Sequence, residues 1–220
     1  MALQNAAALV RAGEYENVLV VSSCTYSRVC DDADSLGWFL GDGAGAFVVS
    51  RVPEGEGVLG TKIVNTAATC DTFYYGIDPA GPTGPRIRIH AHEKTGRIIR
   101  DVSEPCLREC TAGALAAAGM TLDDVDLFCG NTATAWMASF YARALELDPA
   151  RVVDTYPLYA NIGSALMPVN LHHAALAHRL APGDVVVLYS IGSVSSAAAV
   201  VMRWGEVGLG PEPPPPTDVA

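Results

Sequence analysis

The sequence predicts an α/β fold built from two copies of one unit, the first copy incomplete at its front. Three observations carry this. Residues 168–190 read as a helix and an apolar strand (PVNLHHAALAHRL, then PGDVVVLYS), with a second apolar strand at 195–204 (SSAAAVVMRW). Residues 1–23 repeat that order (MALQNAAALVRAG, then EYENVLVVSS), with a partner strand GAGAFVVSR at 43–51. A run of further strands and helices from about residue 86 precedes the second copy, and nothing precedes the first. Near-continuous apolar strands alternating with helices are the pattern of an α/β core, and self-similarity along a chain marks duplication.

The elements follow in order. Residues 1–12 form a helix by their Ala/Leu periodicity, stopped by Gly13. Residues 18–22 are too short and too apolar for anything but a buried strand. Residues 24–39 are mixed, and Asp31, Asp32 and Asp34 read as a solvated loop. The GDGAG run at 41–45 leads into a strand at 46–50. It lacks the Lys-Ser/Thr of a P-loop and the spacing of a dinucleotide fingerprint, so it reads as a turn that uses glycine's backbone freedom. Residues 53–85 are rich in Gly, Pro and Thr, with one short strand at 61–65. Polar and apolar residues alternate over 86–102 around EKTG, which predicts a hairpin. A helix over 103–119 follows, with Ser103 as N-cap and Gly119 at its end. A strand at 126–129, a helix at 133–145, a strand at 151–155 and a helix at 162–180 complete the second copy. PEPPPP at 211–216 predicts an extended, disordered end. The organisation is therefore a remnant first half with a loop excursion (1–85), a complete second half (86–205) and a Pro-rich tail (206–220).

Composition narrows the function. The 220 residues are 50% hydrophobic and carry a net charge of −10, which argues against a nucleic-acid or anionic-membrane surface, since both demand a basic face. No window spans a bilayer. Gln4, Asn5, Arg11 and Glu14 interrupt the apolar N-terminus, which reads as a core helix and not a signal peptide. Six cysteines without a CxxC predict reduced thiols in a cytoplasmic protein. His90 and His92 share one side of a strand, a spacing that can hold a metal, but no Cys or carboxylate completes a set nearby. His172 and His173 are adjacent and cannot share a helix face. No metal and no cofactor is expected.

Three segments give the chain a family likeness: LGDGAGAFVV at 40–49, YANIGSALMPVNL at 159–171 and RLAPGDVVVLYSIGSVSSAAAVVMRW at 179–204. In this order they resemble the β-ketoacyl-acyl-carrier-protein synthase III family, and the likeness runs across the chain except the tail. It implies a thiolase-like duplicated α/β fold, its N-terminal half incomplete and its C-terminal half complete. It implies an acyltransferase acting on acyl-CoA or acyl carrier protein thioesters in fatty-acid, polyketide or other secondary-metabolite biosynthesis, working as a homodimer or heterodimer. The family uses a cysteine nucleophile at a helix N-terminus, where the thiolate is favoured. A histidine and an asparagine hydrogen-bond the thioester carbonyl and stabilise the enolate.

Carried over residue by residue, the family asparagine is Asn161. The family histidine falls on Asn131, and the arginine that follows it on the carrier side is Trp136. The oxyanion-hole amide falls at Ser193, after Gly192. The cysteine falls just ahead of Met1, so the chain by itself lacks the nucleophile. Asn131 can donate a hydrogen bond to a carbonyl but cannot serve as a general base, because an amide does not titrate in the useful range. Two readings of it stay open: a neutral substitute for histidine, or a drifted, non-catalytic position. Cys129 beside it reads as a buried strand thiol rather than a relocated nucleophile. The alternative to an enzyme is a degenerate subunit that pairs with an intact ketosynthase-like partner.

Overall fold

A computed structural model describes residues 1–30, 34–65, 67, 69–79, 84–192 and 196–212. Helix α1 (Ala2–Ala12) ends as its sequence requires. Gly13 takes φ +78°, its N–H reaches Val10 O at 3.1 Å, and Glu14 N–H reaches Leu9 O at 3.1 Å. This paired bonding satisfies the last helix carbonyls and needs the left-handed backbone that glycine adopts without strain.

Strands β1 (Asn17–Thr25) and β2 (Asp42–Ser50) pair antiparallel, from Asn17 opposite Ser50 to Thr25 opposite Asp42. The apolar strand expected to be buried is half-buried on one side and exposed on the other: Leu19 and Val21 are 64% and 63% exposed. Alternate residues of a strand face opposite sides. Among the described residues only one side of this pair carries helices, α1 and the later α5 (Leu166–Leu176). The GDGAG segment also departs from its reading as a turn. Gly43 and Gly45 lie inside β2, and neither has positive φ. They are small because α5 and its approach sit against them. A Cβ on Gly43 would lie 2.9 Å from Ile162 Cδ1, and one on Gly45 would lie 2.7 Å from Pro168 Cγ.

Beyond β3 (Gly57–Asn65), strands β4 (Phe73–Asp78) and β5 (Arg86–Ala91) form their own antiparallel ribbon. The hairpin expected over 86–102 is absent: β5 pairs backward with β4, and helix α2 runs over Thr95–Ala117. Pro105 explains the misplaced start, since Ser103 followed by Pro105 mimics an N-cap and a first-turn proline. In the helix Ser103 is buried, and its Oγ donates to Ile99 O at 2.6 Å.

The remaining elements are β6 (Leu127–Gly130), α3 (Met137–Leu145), a single turn α4 (Tyr156–Tyr159), α5, β7 (Val185–Gly192) and β8 (Ser196–Arg203). They build a four-stranded sheet in the order β3-β8-β7-β6, with β6 parallel to β7 and the other neighbours antiparallel. Val152 bridges Phe128 in parallel beyond β6. β3, from the stretch the sequence grouped with the first half, thus lies in the sheet of the second. One face of this sheet buries Val187, Tyr189 and Val201 against Leu107, Cys110 and Tyr141 of α2 and α3. The other buries Val186, Leu188 and Val200 against Leu171 and Ala174 of α5. Since α5 also packs on β2, it is the layer shared by the two sheets.

Candidate active site

β6 ends where Tyr141 crosses it. A Cβ on Gly130 would lie 2.3 Å from the Tyr141 ring, so only glycine lets α3 approach this closely. Asn131 follows, 8% exposed, and its N–H extends the ladder to Tyr189 O at 3.0 Å. Its side chain is engaged. Oδ1 accepts from Ile191 N–H at 3.2 Å and from the Tyr141 hydroxyl at 3.2 Å, while Nδ2 makes a long contact to Ile191 O at 3.5 Å. Tyr141 also donates to Asn131 O at 2.9 Å. Burial, then the neighbouring Tyr189, holds the Tyr141 hydroxyl well above the ordinary tyrosine range, so it stays a donor. Asn131 therefore clips the end of β6 to the end of β7. Gly192 follows, opposite Ser196 in the β7–β8 pair. Ser193, the expected oxyanion amide, lies outside the described residues.

A buried polar network stands behind this corner. Asn170 of α5 donates from Nδ2 to Gly130 O at 2.9 Å and to Thr132 Oγ1 at 3.3 Å. Its Oδ1 accepts a short bond from the Thr155 hydroxyl, and the Thr132 and Thr155 hydroxyls are 3.0 Å apart. Thr132, Thr155 and Asn170 are fully buried. A satisfied network in a low dielectric rigidifies what it joins, and these groups join the segments that carry Asn131 and Asn161.

Asn161 sits on the strand-like crossing between α4 and α5. Its N–H donates to Phe39 O and its O accepts from Gly41 N–H, both at 2.9 Å, so it is pinned to the GDGAG segment. Its Oδ1 accepts from Gly163 N–H at 2.9 Å, which fixes the side chain and leaves the Nδ2 hydrogens as its remaining donors. Just before it, Ala160 has φ +52° and ψ −148°, a backbone that non-glycine residues resist. Such strain concentrates where a chain is held for function. Cys24 and Tyr26 close the other side: a Cβ on Gly163 would lie 2.7 Å from Cys24 Sγ and 3.0 Å from the Tyr26 hydroxyl.

The structure brings the segments that carry Asn131 and Asn161 against each other. Ala133, two residues beyond Asn131, packs against the cluster Ile162, Ala165 and Leu166 that follows Asn161. Trp136 stands apart, 48% exposed and edge-on to Phe140 at 5.7 Å. Cys129 is fully buried, and burial pushes its thiol up to about 12, which leaves no thiolate for attack at neutral pH. Burial likewise raises the Cys24 thiol, against a lowering hydrogen bond from Tyr26.

Other sequence readings can be placed. His90 stacks on Tyr74 at 5.1 Å, and His92 Nδ1 accepts from Lys94 N–H at 3.1 Å. Asp34 Oδ1 accepts from Leu36 N–H at 2.9 Å, while Asp31 and Asp32 lie outside the described residues, as does the tail from 213. Among the described residues no group of three metal-ligating side chains assembles, and no helix is long and apolar enough to cross a membrane. Tyr141, Asn170 and the Cys24–Tyr26 pair were missed from sequence. Only Asn170 left a signal, as an amide inside the apolar run LMPVNL.

Residues 1–67 match the family described as 3-oxoacyl-[acyl-carrier-protein (ACP)] synthase III, and residues 115–204 match its C-terminal counterpart. Two similar curated relatives are the β-ketoacyl-[acyl-carrier-protein] synthases III of Paracoccus denitrificans, 32% identical over 92% of this chain and 64% of the relative, and of Rhodospirillum rubrum, 31% identical over 92% and 63%. The chain thus spans under two thirds of their length. The synthase III structure from Thermus thermophilus superposes with a TM-score of 0.82 at 31% identity, covering 93% of this chain and 64% of that one. The Pseudomonas aeruginosa synthase III structure gives the same TM-score at 23% identity, a likeness of fold. The fold is the thiolase-like α/β duplication that the sequence implied, and the chain belongs to the β-ketoacyl-acyl-carrier-protein synthase III-like family.

Proposed function

We propose that this chain forms the carbonyl-binding side of an acyltransferase site that takes acyl thioesters of CoA or an acyl carrier protein. The observation that supports this most is the fixing of Asn161. Its backbone is pinned on both sides, its Oδ1 is occupied, and its Nδ2 is left to donate to a carbonyl oxygen. A preorganised donor of this kind stabilises charge as it develops on a thioester oxygen, without reorganisation at the moment of reaction. The amide of Ser193 is the second donor in this reading, and Trp136 with Gly192 lies on the path of the substrate. Cys129 and Cys24 are both held as thiols, so neither serves as the nucleophile in this reading.

Asn131 sets the reaction apart from a malonyl condensation. An amide holds no titratable proton, so Asn131 cannot act as a general base. The site favours transfer of an acyl group to an acceptor other than a decarboxylating malonyl thioester. The test uses the longest natural polypeptide that contains these residues, incubated with acyl-CoA of two to sixteen carbons and read by intact-protein mass spectrometry. An acyl adduct is expected; its absence with every thioester overturns the reading.

A second reading is favoured by the exposed apolar face of β1 and β2: a non-catalytic subunit seated on an intact partner. It predicts a stable hetero-complex and no adduct on this chain.

A further inference from the structure

Asn161 is gripped from two sides by the first copy of the repeat. On one side Phe39 O and Gly41 N–H, in the segment leading into β2, hold its backbone. On the other side the end of β1 meets the turn that follows Asn161. Gly163 takes φ +58°, and a Cβ there would lie 2.7 Å from Cys24 Sγ, 3.0 Å from the Tyr26 hydroxyl and 3.1 Å from Tyr26 Cε2. Glycine serves twice here, for its left-handed backbone and for the close approach of two side chains. Ser164 Oγ donates to Ser23 O at 3.4 Å. The Cys24 sulfur is hydrogen-bonded to the Tyr26 hydroxyl and to the backbone of Ser164. Burial, then the neighbouring Cys24, holds the Tyr26 hydroxyl above its ordinary range, so it stays a donor at neutral pH.

The turn matters for what it does to the amide. Gly163 N–H is the donor that occupies Asn161 Oδ1, at 2.9 Å. The last torsion of an asparagine is broad and roughly two-fold, so the side chain does not choose its own orientation. Its two ends have nearly the same shape and opposite hydrogen-bonding character. The partner of each end therefore decides which one faces out. With Oδ1 held on Gly163 N–H, Nδ2 is presented. With that bond lost, the amide can turn over and offer an acceptor where a donor is needed.

We propose that Cys24 and Tyr26 are positioning residues for Asn161. They brace the turn at Gly163 and Ser164, so that Asn161 presents Nδ2, and not Oδ1, to a thioester oxygen. Cys24 works here as a compact, uncharged hydrogen-bonding group and not as a nucleophile, and both residues act through Asn161. The inference rests on the reading of Asn161 as the carbonyl donor. It is also a statement about the protein without substrate, so the two can fail separately.

The test uses the longest natural polypeptide that contains these residues, as wild type, Tyr26→Phe, Cys24→Ala and Cys24→Ser. Amide hydrogen exchange comes first and needs no thioester. The Gly163 amide is expected to exchange at least tenfold faster in Tyr26→Phe and in Cys24→Ala, with the amides of residues 186–188 in β7 unchanged. Cys24→Ser is expected to restore part of the protection, because a hydroxyl keeps the hydrogen bonds. Unchanged Gly163 exchange in both variants overturns the proposal. So does equal acceleration at Gly163 and in β7, which would mean a general loosening of the fold. Acylation by acyl-CoA comes second. Tyr26→Phe and Cys24→Ala are expected to lower kcat at least fivefold and leave KM within twofold, because the donor acts on charge that develops in the transition state. A raised KM with kcat unchanged overturns the proposal, since the pair would then be contacting substrate. A wild type that takes no acyl group removes the carbonyl-donor reading of Asn161, and Gly163 exchange then decides alone whether the pair sets its direction.

Discussion

Asn131 Oδ1 lies 3.2 Å from the amide nitrogen of Ile191 and accepts its hydrogen bond. The Asn131 side chain therefore closes a backbone junction between β6 and β7. Tyr141 holds the same oxygen from the other side. Tyr141→Phe removes one donor from two buried acceptors, Asn131 O and Oδ1. The expected cost is about 1–3 kcal/mol of unfolding free energy, read by urea titration. No loss of stability would show that these bonds are not formed in solution.

Asn170 is the one member of the buried network that touches all its other groups. Asn170→Leu leaves the hydroxyls of Thr132 and Thr155 and the carbonyl of Gly130 with fewer partners. A loss of about 2–4 kcal/mol is expected from several unsatisfied buried groups. The triple variant Asn170→Leu/Thr132→Val/Thr155→Val should recover part of it, because removing all the polar atoms together leaves fewer stranded. A triple variant as unstable as the sum of the single changes would contradict the network.

The glycines of the GDGAG segment are small for packing. Gly45→Ala puts a methyl 2.7 Å from Pro168 Cγ and should destabilise by about 1–3 kcal/mol. Ala160→Gly should act the other way. At φ +52° alanine is strained, and glycine is expected to gain about 1 kcal/mol, seen as a rise of about 2–4 °C in Tm. If the two substitutions had the same sign, the packing and strain arguments could not both hold.

Alkaline stability follows from Cys129. Its thiol rises from an ordinary 9.0 to about 12 in the folded protein through burial. A group whose folded pKa is raised contributes its full stabilisation below the unfolded pKa and loses it as pH climbs through the folded one. Stability should thus fall between about pH 9 and 12, and Cys129→Ala should fall less steeply over that window. Iodoacetamide should leave Cys129 of the native protein unmodified at pH 8. Rapid alkylation there would refute its burial.

Much of this was legible in the sequence, for reasons that differ by element. α1 was readable to its last residue because Gly13 must take a left-handed backbone. The repeat was readable because β1, β2, β7 and β8 are apolar runs bounded by turns. α2 was misread at its start because Ser103 and Pro105 imitate a helix beginning, whereas at the true start Thr95 is buried and its hydroxyl donates to Thr72 O at 2.8 Å, a contact made only in the folded chain. Asn161 was singled out by its neighbours in YAN. The engagement of Asn131 was not legible, because its partners Ile191 and Tyr141 meet it only in the folded chain.

Simultaneous detection of acylation and of carbon dioxide release tests the central claim most directly. The longest natural polypeptide containing this chain would be incubated with acyl-CoA and carboxyl-labelled malonyl thioester. The account predicts an acyl adduct and no labelled carbon dioxide, with the adduct lost in Asn161→Ala. Carbon dioxide released at a rate comparable to acylation would contradict it, because a site with Asn131, an amide that cannot act as a general base, would then be carrying out the decarboxylation.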